Sequence, residues 1–301
     1  DYRRKSGVVH TEIIAPPGAA AWTGDRSALW NRVEAAERRG DAQVARELQL
    51  ALPSELSRDE QLALVREFVT DEMVVRGMVA DVALHDLESG NPHAHVMLTL
   101  RTLTSEGFGL KERSWNSTAL VREWRERWAL VANEHLSRAG HEERLDHRSF
   151  QARGLDLEAQ PKARMSISEI DAVPVEAETE AVREWRAAAR RNGERICSHP
   201  QTALVALSEQ RSTFTGRDLL RWLNSHTDGA EQLAEARAAV MASADLVRVG
   251  DVDGQMRYTS RDLVAAESTL YEASASLSER RDGGASTAQI ERALDSRAAC
   301  G

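Results

Sequence analysis

From His85 to Leu98 the chain reads HDLESGNPHAHVML, and this stretch constrains the fold more than any other. Gly90, Asn91 and Pro92 are turn residues: glycine and asparagine tolerate positive φ, and proline fixes φ near −65°. They separate two β-type runs, 78–85 and 93–100, and a turn between two such runs predicts an antiparallel hairpin. Side chains alternate faces along a strand, so His93 and His95 emerge on one side about 7 Å apart at the Cα level. The hairpin brings His85 back beside them, so three of the nine histidines fall within eleven residues.

The segments before and after fit a sheet backed by helices. His10 to Ile14 follows two valines, reads as a strand and ends at Pro16-Pro17-Gly18. Asp25 to Arg39 repeats Leu29, Trp30, Val33 and Ala36 at helical spacing, and Gly40 stops it. Arg46 to Leu52 alternates, with Leu48, Leu50 and Leu52 on one face and Glu47, Gln49 and Ala51 on the other, which is a strand packed on one side. Ser57-Arg58-Asp59-Glu60 has the form of a capping box, opening a helix expected to run to Arg76 and stop at Gly77. A long helix is predicted over 118–138, with Trp124 and Trp128 facing the core. The resulting order of strand, helix, strand, helix, hairpin, helix predicts an α+β domain with a mainly antiparallel sheet flanked by helices. If the first strand and the Arg46 strand neighbour the hairpin, His10 and Glu12 join Glu47 and Gln49 on a polar face opposite the leucines.

Apolar periodicity fades between Leu155 and Val175, so the sequence divides into domains at 1–162 and 163–301. In the second, helices are predicted at 176–191, 215–223 and 230–243, followed by a hairpin from Leu246 to Thr259. Helices followed by a hairpin form a winged-helix-like layout; a packed helical spacer is the competing reading.

Composition narrows the function. The chain has 301 residues, 42% hydrophobic and 29% charged, as expected of a globular protein rather than a disordered one. No apolar run is long enough to insert in a membrane, and two cysteines provide no disulfide framework, so a cytoplasmic location is expected. The formal charge of −9 argues against a protein coated in nucleic acid and leaves room for a local cationic surface. Three imidazoles on one sheet face are a ligand set for a divalent metal. The competing reading is a solvated polar strand face, which an isolated His-x-His pair often is. Cys197-Ser198-His199 has no convergent partners and reads as no nucleophile.

Asn91-Pro92-His93-Ala94-His95 resembles the His-hydrophobic-His signature of HUH endonucleases. With His85 upstream, the chain is similar to the MobA/MobL branch of conjugative relaxases. Tyr2 to His10, Ala45 to Pro53, Gly77 to Asp86, Met97 to Arg101 and Asp146 to Ser149 resemble its TraA-type members, in the same order. In the second half, Thr213 to Leu219 and Arg257 to Arg261 resemble the segment between nickase and helicase. The resemblance implies a helicase motor after it; the sequence itself has no Gly-Lys-Ser/Thr and no lysine beyond Lys162, so ATP hydrolysis is not expected of these residues.

The resemblance implies an HUH-type fold and metal-dependent nicking of single-stranded DNA at a plasmid transfer origin, by attack of a tyrosine on a phosphodiester. It implies a relaxosome and coupling proteins as further partners. His85, His93 and His95 would hold Mg or Mn, and Glu47 would position or deprotonate the nucleophile. This branch carries its tyrosine in an early Ala-Tyr-Arg segment that does not occur in the sequence. Tyr2 substitutes only if that segment is misaligned, so the nucleophile is expected outside the chain. Arg101, Lys111, Arg113, Trp115 and Arg148 are candidate DNA contacts, with Arg153 a further phosphate candidate. A replication initiator or transposase of the HUH class, and a DNA-binding platform that does not cut, are the alternatives.

Overall fold

The computed structural model describes residues 7–85, 91–104, 107–161, 170, 173–174 and 177–279. They fall into two compact units, Asp1–Arg153 and Gly154–Gly301.

The first unit is α+β. Its strands are β1 (Val8–Ile14), β2 (Ala45–Ala51), β3 (Ala80–His85) and β4 (His93–Thr99), in the order β1-β3-β4-β2, with every neighbouring pair antiparallel. The hairpin expected around His85 and His93 is β3–β4, although residues 86–90 of its joint lie outside the described residues. Helices α1 (Arg26–Ala35), α2 (Arg58–Glu72) and α3 (Thr118–Arg138) accompany the sheet. The Ser57 hydroxyl and the Glu60 carboxylate cap α2 reciprocally, satisfying amides that a helix start leaves unpaired. The chain leaves the following 3-10 turn through Gly77 at φ 95°, a conformation that disfavours any side chain.

Alternation along the strands divides the sheet into two faces. Leu50, Val82, Leu84, Ala94, Val96 and Leu98 pack against Val65, Phe68 and Val69 of α2 and against Leu120 and Trp124 of α3. Fully burying each such large side chain contributes about 1.5–3 kcal/mol. The opposite face carries Glu47 and Gln49 from β2, Asp81 and His85 from β3, and His93 and His95 from β4, as the pairings Gln49↔His95, Glu47↔Met97, Asp81↔Met97 and His85↔His93 require.

His10 and Glu12 do not join that polar face. They pair with Leu84 and Val82, which places them on the helical side at the sheet edge, where Glu12 accepts from Arg66 of α2. An irregular register between Val8 and His10 accompanies this arrangement. A short hairpin, β5 (Arg101–Thr104) and β6 (Gly107–Lys111), was not expected from the sequence.

The second unit contains α4 (Glu180–Ser198), α5 (Gln201–Gln210), β7 (Phe214–Thr215), α6 (Gly216–Asn224), α7 (Gly229–Ala242), β8 (Leu246–Val252), β9 (Gln255–Ser260) and α8 (Arg261–Glu279). Its strands form an antiparallel sheet in the order β7-β9-β8. Sequence reading omits α5 and α8 and ends α4 at Arg191. The helix instead continues through Gly193, where the missing Cβ makes room for the side chain of Gln232 on α7. Among the described residues, no helix is long and apolar enough to cross a membrane.

Candidate metal centre

The β3–β4 register builds the site. His85 lies directly opposite His93, and His95 follows two residues along β4, opposite the small Ala83. Ring centroids are 5.3 Å apart for His85 and His93, 4.7 Å for His85 and His95, and 5.1 Å for His93 and His95. One nitrogen from each imidazole lies within 4.8 Å of the others. His85 is 5% exposed, while His93 and His95 are partly buried and reach the surface.

Neighbours orient two of the rings. Nδ1 of His93 is 2.9 Å from the carbonyl oxygen of Asn91, and Nδ1 of His95 is hydrogen-bonded to Oε1 of Glu47. Each Nδ1 therefore carries the proton and donates it, which leaves the lone pair of Nε2 on each ring for a metal. Glu47 reaches His95 because β2 is the strand next to β4, and its side chain points to the same face.

Beyond the histidines, the same face carries an anchor that sequence reading missed. Asp81 is 3% exposed. It accepts from Nε and Nη2 of Arg26 and, at 2.9 Å, from the indole N–H of Trp30, both on α1. The signal was available: an aspartate inside the apolar run Val79 to Leu84 needs a partner, because a buried lone carboxylate is costly. The anchor holds α1 over the histidine-bearing side of the sheet.

Of the candidate DNA contacts, Arg101 and Lys111 come together on Glu37 and the others lie apart from them. Arg101 donates to both oxygens of Glu37 and to the carbonyl of Gly109, and Lys111 lies 3.1 Å from Glu37 and donates to the Gln43 carbonyl. Hydrogen bonding from Arg101, reinforced by Lys111, holds the Glu37 carboxyl below its usual range. Arg113 is exposed. Trp115 is 6% exposed and joins the main core, so its ring offers no open face for a base; the loop that looked basic and aromatic turns a tryptophan inward. Trp124 is in the core, as expected, with Trp128 packed partly buried against it. Arg148 folds back onto Asp146, which Arg153 also approaches at 3.7 Å. The Asp146 carboxyl is thereby lowered to about 2, chiefly by its hydrogen bond with Arg148. Tyr2 lies outside the described residues. Burial pushes the Cys197 thiol up, consistent with reading no nucleophile there.

These features place the chain among proteins that carry a three-histidine centre on an antiparallel sheet. The MobA/MobL family model matches residues 1–172, and the chain belongs to that family, the relaxases of conjugal transfer and mobilisation. It is 32% identical over 336 residues to the conjugal transfer protein TraA of Agrobacterium fabrum, covering 96% of this chain and 30% of that protein. It is 34% identical over 193 residues to the mobilization protein MobL of Acidithiobacillus ferridurans, covering 52% of this chain and 50% of that protein. A solved structure described as "Molecular Basis of Vancomycin Resistance Transfer in Staphylococcus aureus" is 35% identical, covers 50% of this chain and 79% of its own, and superposes with a TM-score of 0.46. The chain spans 30% of the length of the TraA relative.

Proposed function

We propose that the chain is the DNA-processing core of a conjugative relaxase, which nicks one strand at a plasmid transfer origin on an HUH-type sheet. The observation that carries this reading is the convergence of His85, His93 and His95 within 4.8 Å on one sheet face, in a chain of the MobA/MobL family. In the reaction a tyrosine oxygen bonds to phosphorus and the bond from phosphorus to the 3′ oxygen breaks. The tyrosine keeps the 5′ phosphate, its own proton is lost, and the departing 3′ oxygen gains one to become a hydroxyl. We assign the nucleophile to a tyrosine of the longer protein, outside these residues.

The donor set fits a divalent cation. Two of the three imidazoles have Nδ1 committed to an oxygen acceptor, so Nε2 is presented, and the three histidines together would hold the ion. Of Mg and Mn, the transition ion Mn accepts nitrogen donors the more readily, so Mn is the preferred of the two. Held by His85, His93 and His95, such an ion would supply positive charge beside a scissile phosphate. The protein's own groups do the positioning. Glu47 fixes the tautomer and ring angle of His95, and the Asn91 carbonyl does the same for His93. This makes Glu47 a positioning residue rather than the base on the nucleophile.

We read the second unit as a winged-helix-like spacer. The connectivity α5, β7, α6, α7, β8, β9 supports the layout. Helix α4 packs on α7 through Gly193 and Gln232, and the exposed residues of α7 include Glu231 and Glu235, whose charge repels phosphate.

The test is strand scission. With Mn²⁺, the longer protein should cut an origin oligonucleotide and remain on its 5′ end, and His93→Ala or His95→Ala should abolish the cut. Cleavage that survives EDTA, or survives loss of these histidines, overturns the reading. Salt-dependent binding with no scission by the longer protein favours a platform that does not cut.

A further inference from the structure

A chain with a formal charge of −9 holds a phosphate backbone only where cations are gathered locally. In the first unit one cavity of about 360 Å³ gathers them: Arg38, Arg39, Arg101 and Lys111 line it, against the carboxylates of Glu37 and Asp41. We infer that this pocket seats a backbone phosphate of bound DNA, away from the metal centre. The inference rests on the DNA-processing function proposed above and adds a site to it.

The two carboxylates fix the cations more than they neutralise them. Glu37 takes Nε and Nη2 of Arg101 and approaches Lys111 at 3.1 Å, and Asp41 takes Nε and Nη2 of Arg39. An arginine has five N–H donors, so Arg101, whose three hydrogen bonds go to Glu37 and the Gly109 carbonyl, keeps two, and Arg39 keeps three. The Arg39 guanidinium, locked by a carboxylate on one edge and open on the other, suits the tetrahedral oxygens of a phosphate, with Arg101, held by Glu37 and Gly109, adding charge behind it. Arg38 is exposed, and the Arg39 side chain is 78% exposed. The summed charge of the lining is +2 when the four cations are set against the two carboxylates.

Position supports the same ligand. Helix α1 is pinned by Arg26 and Trp30 to Asp81, which faces the same side of the sheet as His85. Glu37, Arg38 and Arg39 follow directly from its C-terminal end. Arg101 comes six residues after His95, at most about 20 Å along an extended strand. The pocket and the histidines therefore share one side of the sheet, a few nucleotides apart.

The experiment uses the chain itself and single-stranded oligonucleotides of one sequence in which one linkage at a time is an uncharged methylphosphonate. The wild type should lose several-fold affinity at one or two linkages set off from the scissile position. In Arg38→Ala/Arg39→Ala, whose side chains are exposed, those linkages should become silent. The slope of log K against log salt should also become shallower by about 0.7 for each phosphate that the variant no longer engages. An unchanged slope, with the same linkages still sensitive in the variant, overturns the pocket. The two proposals fail separately: DNA that loses affinity through Arg38 and Arg39, yet is never cut by the longer protein, removes the nickase and leaves the pocket standing.

Discussion

The Glu47 carboxylate on β2 accepts a hydrogen bond from Nδ1 of His95 on β4, along a diagonal two residues out of register, since Glu47 itself stands opposite Met97. A carboxylate behind an imidazole fixes which nitrogen can ligate and makes it more basic, and losing such a partner typically costs 10–100-fold in metal affinity. Glu47→Gln should therefore weaken Mn²⁺ binding by about that factor, read by calorimetry. The unfolding midpoint without metal should stay put, because the Glu47 side chain is 48% exposed. Equal affinities in the two proteins would remove Glu47 from the centre.

Asp146 makes stability depend on acid. Its carboxyl is lowered to about 2 by hydrogen bonding from Arg148, with Arg153 adding charge, against an ordinary value near 3.9. A depressed carboxyl contributes stability fully above the unfolded value and loses it as pH falls through the folded value, here between about pH 4 and pH 2. After allowance for solvent around the half-exposed Arg148, the contribution is about 1–2 kcal/mol. Asp146→Asn should be less stable than the wild type at pH 6, and most of the gap should be gone by pH 2 in denaturant titrations. A gap independent of pH would assign the loss to packing instead.

Asp81 holds α1 through a buried ion pair. Arg26→Ala leaves that carboxylate buried with only the Trp30 indole as donor, and breaking such pairs costs about 3–5 kcal/mol. Urea unfolding of the first unit should register a loss of this size. A change below about 1 kcal/mol would mean that water replaces the guanidinium, as it does at exposed pairs.

At Gly193 the space for a Cβ is taken. A methyl group there would lie 2.3 Å from Cδ of Gln232, and Gln232 cannot easily retreat because it accepts from the Asp228 amide and donates to the Arg190 carbonyl. Gly193→Ala alone should destabilise by about 1–3 kcal/mol. In a Gln232→Ala background the same change should become neutral or stabilising by up to about 1 kcal/mol, because alanine is the better helix former. Additive effects in the four-protein cycle would rule out the interaction.

The parts of this architecture that the sequence specifies locally were legible. Turn chemistry at Gly90 to Pro92 and alternation on either side led to the hairpin and the histidine cluster, and the Ser57 capping box marked the start of α2. Long-range geometry was not legible. The face taken by His10 and Glu12 depends on the irregular register of β1, which alternation alone does not reveal. Trp115 looked like a surface aromatic because its neighbours are polar, yet the 3-10 turn at Arg113–Asn116 directs it inward. The partner of Asp81 lies 55 residues away in sequence, so nothing near the aspartate shows it. The continuation of α4 past Arg191 was not legible either, because the role of Gly193 is set by Gln232 on another helix.

The pairing of β3 with β4 has a consequence for any damaged or redesigned version of this protein. Alternation means that sliding one strand past the other by a single residue would turn Ala94 and Val96 outward and drive the imidazoles into the oil. Core and ligand set are thus one specification written on opposite sides of the same ribbon. A variant in which the three imidazoles still converge has, by that fact alone, aligned its central hairpin correctly.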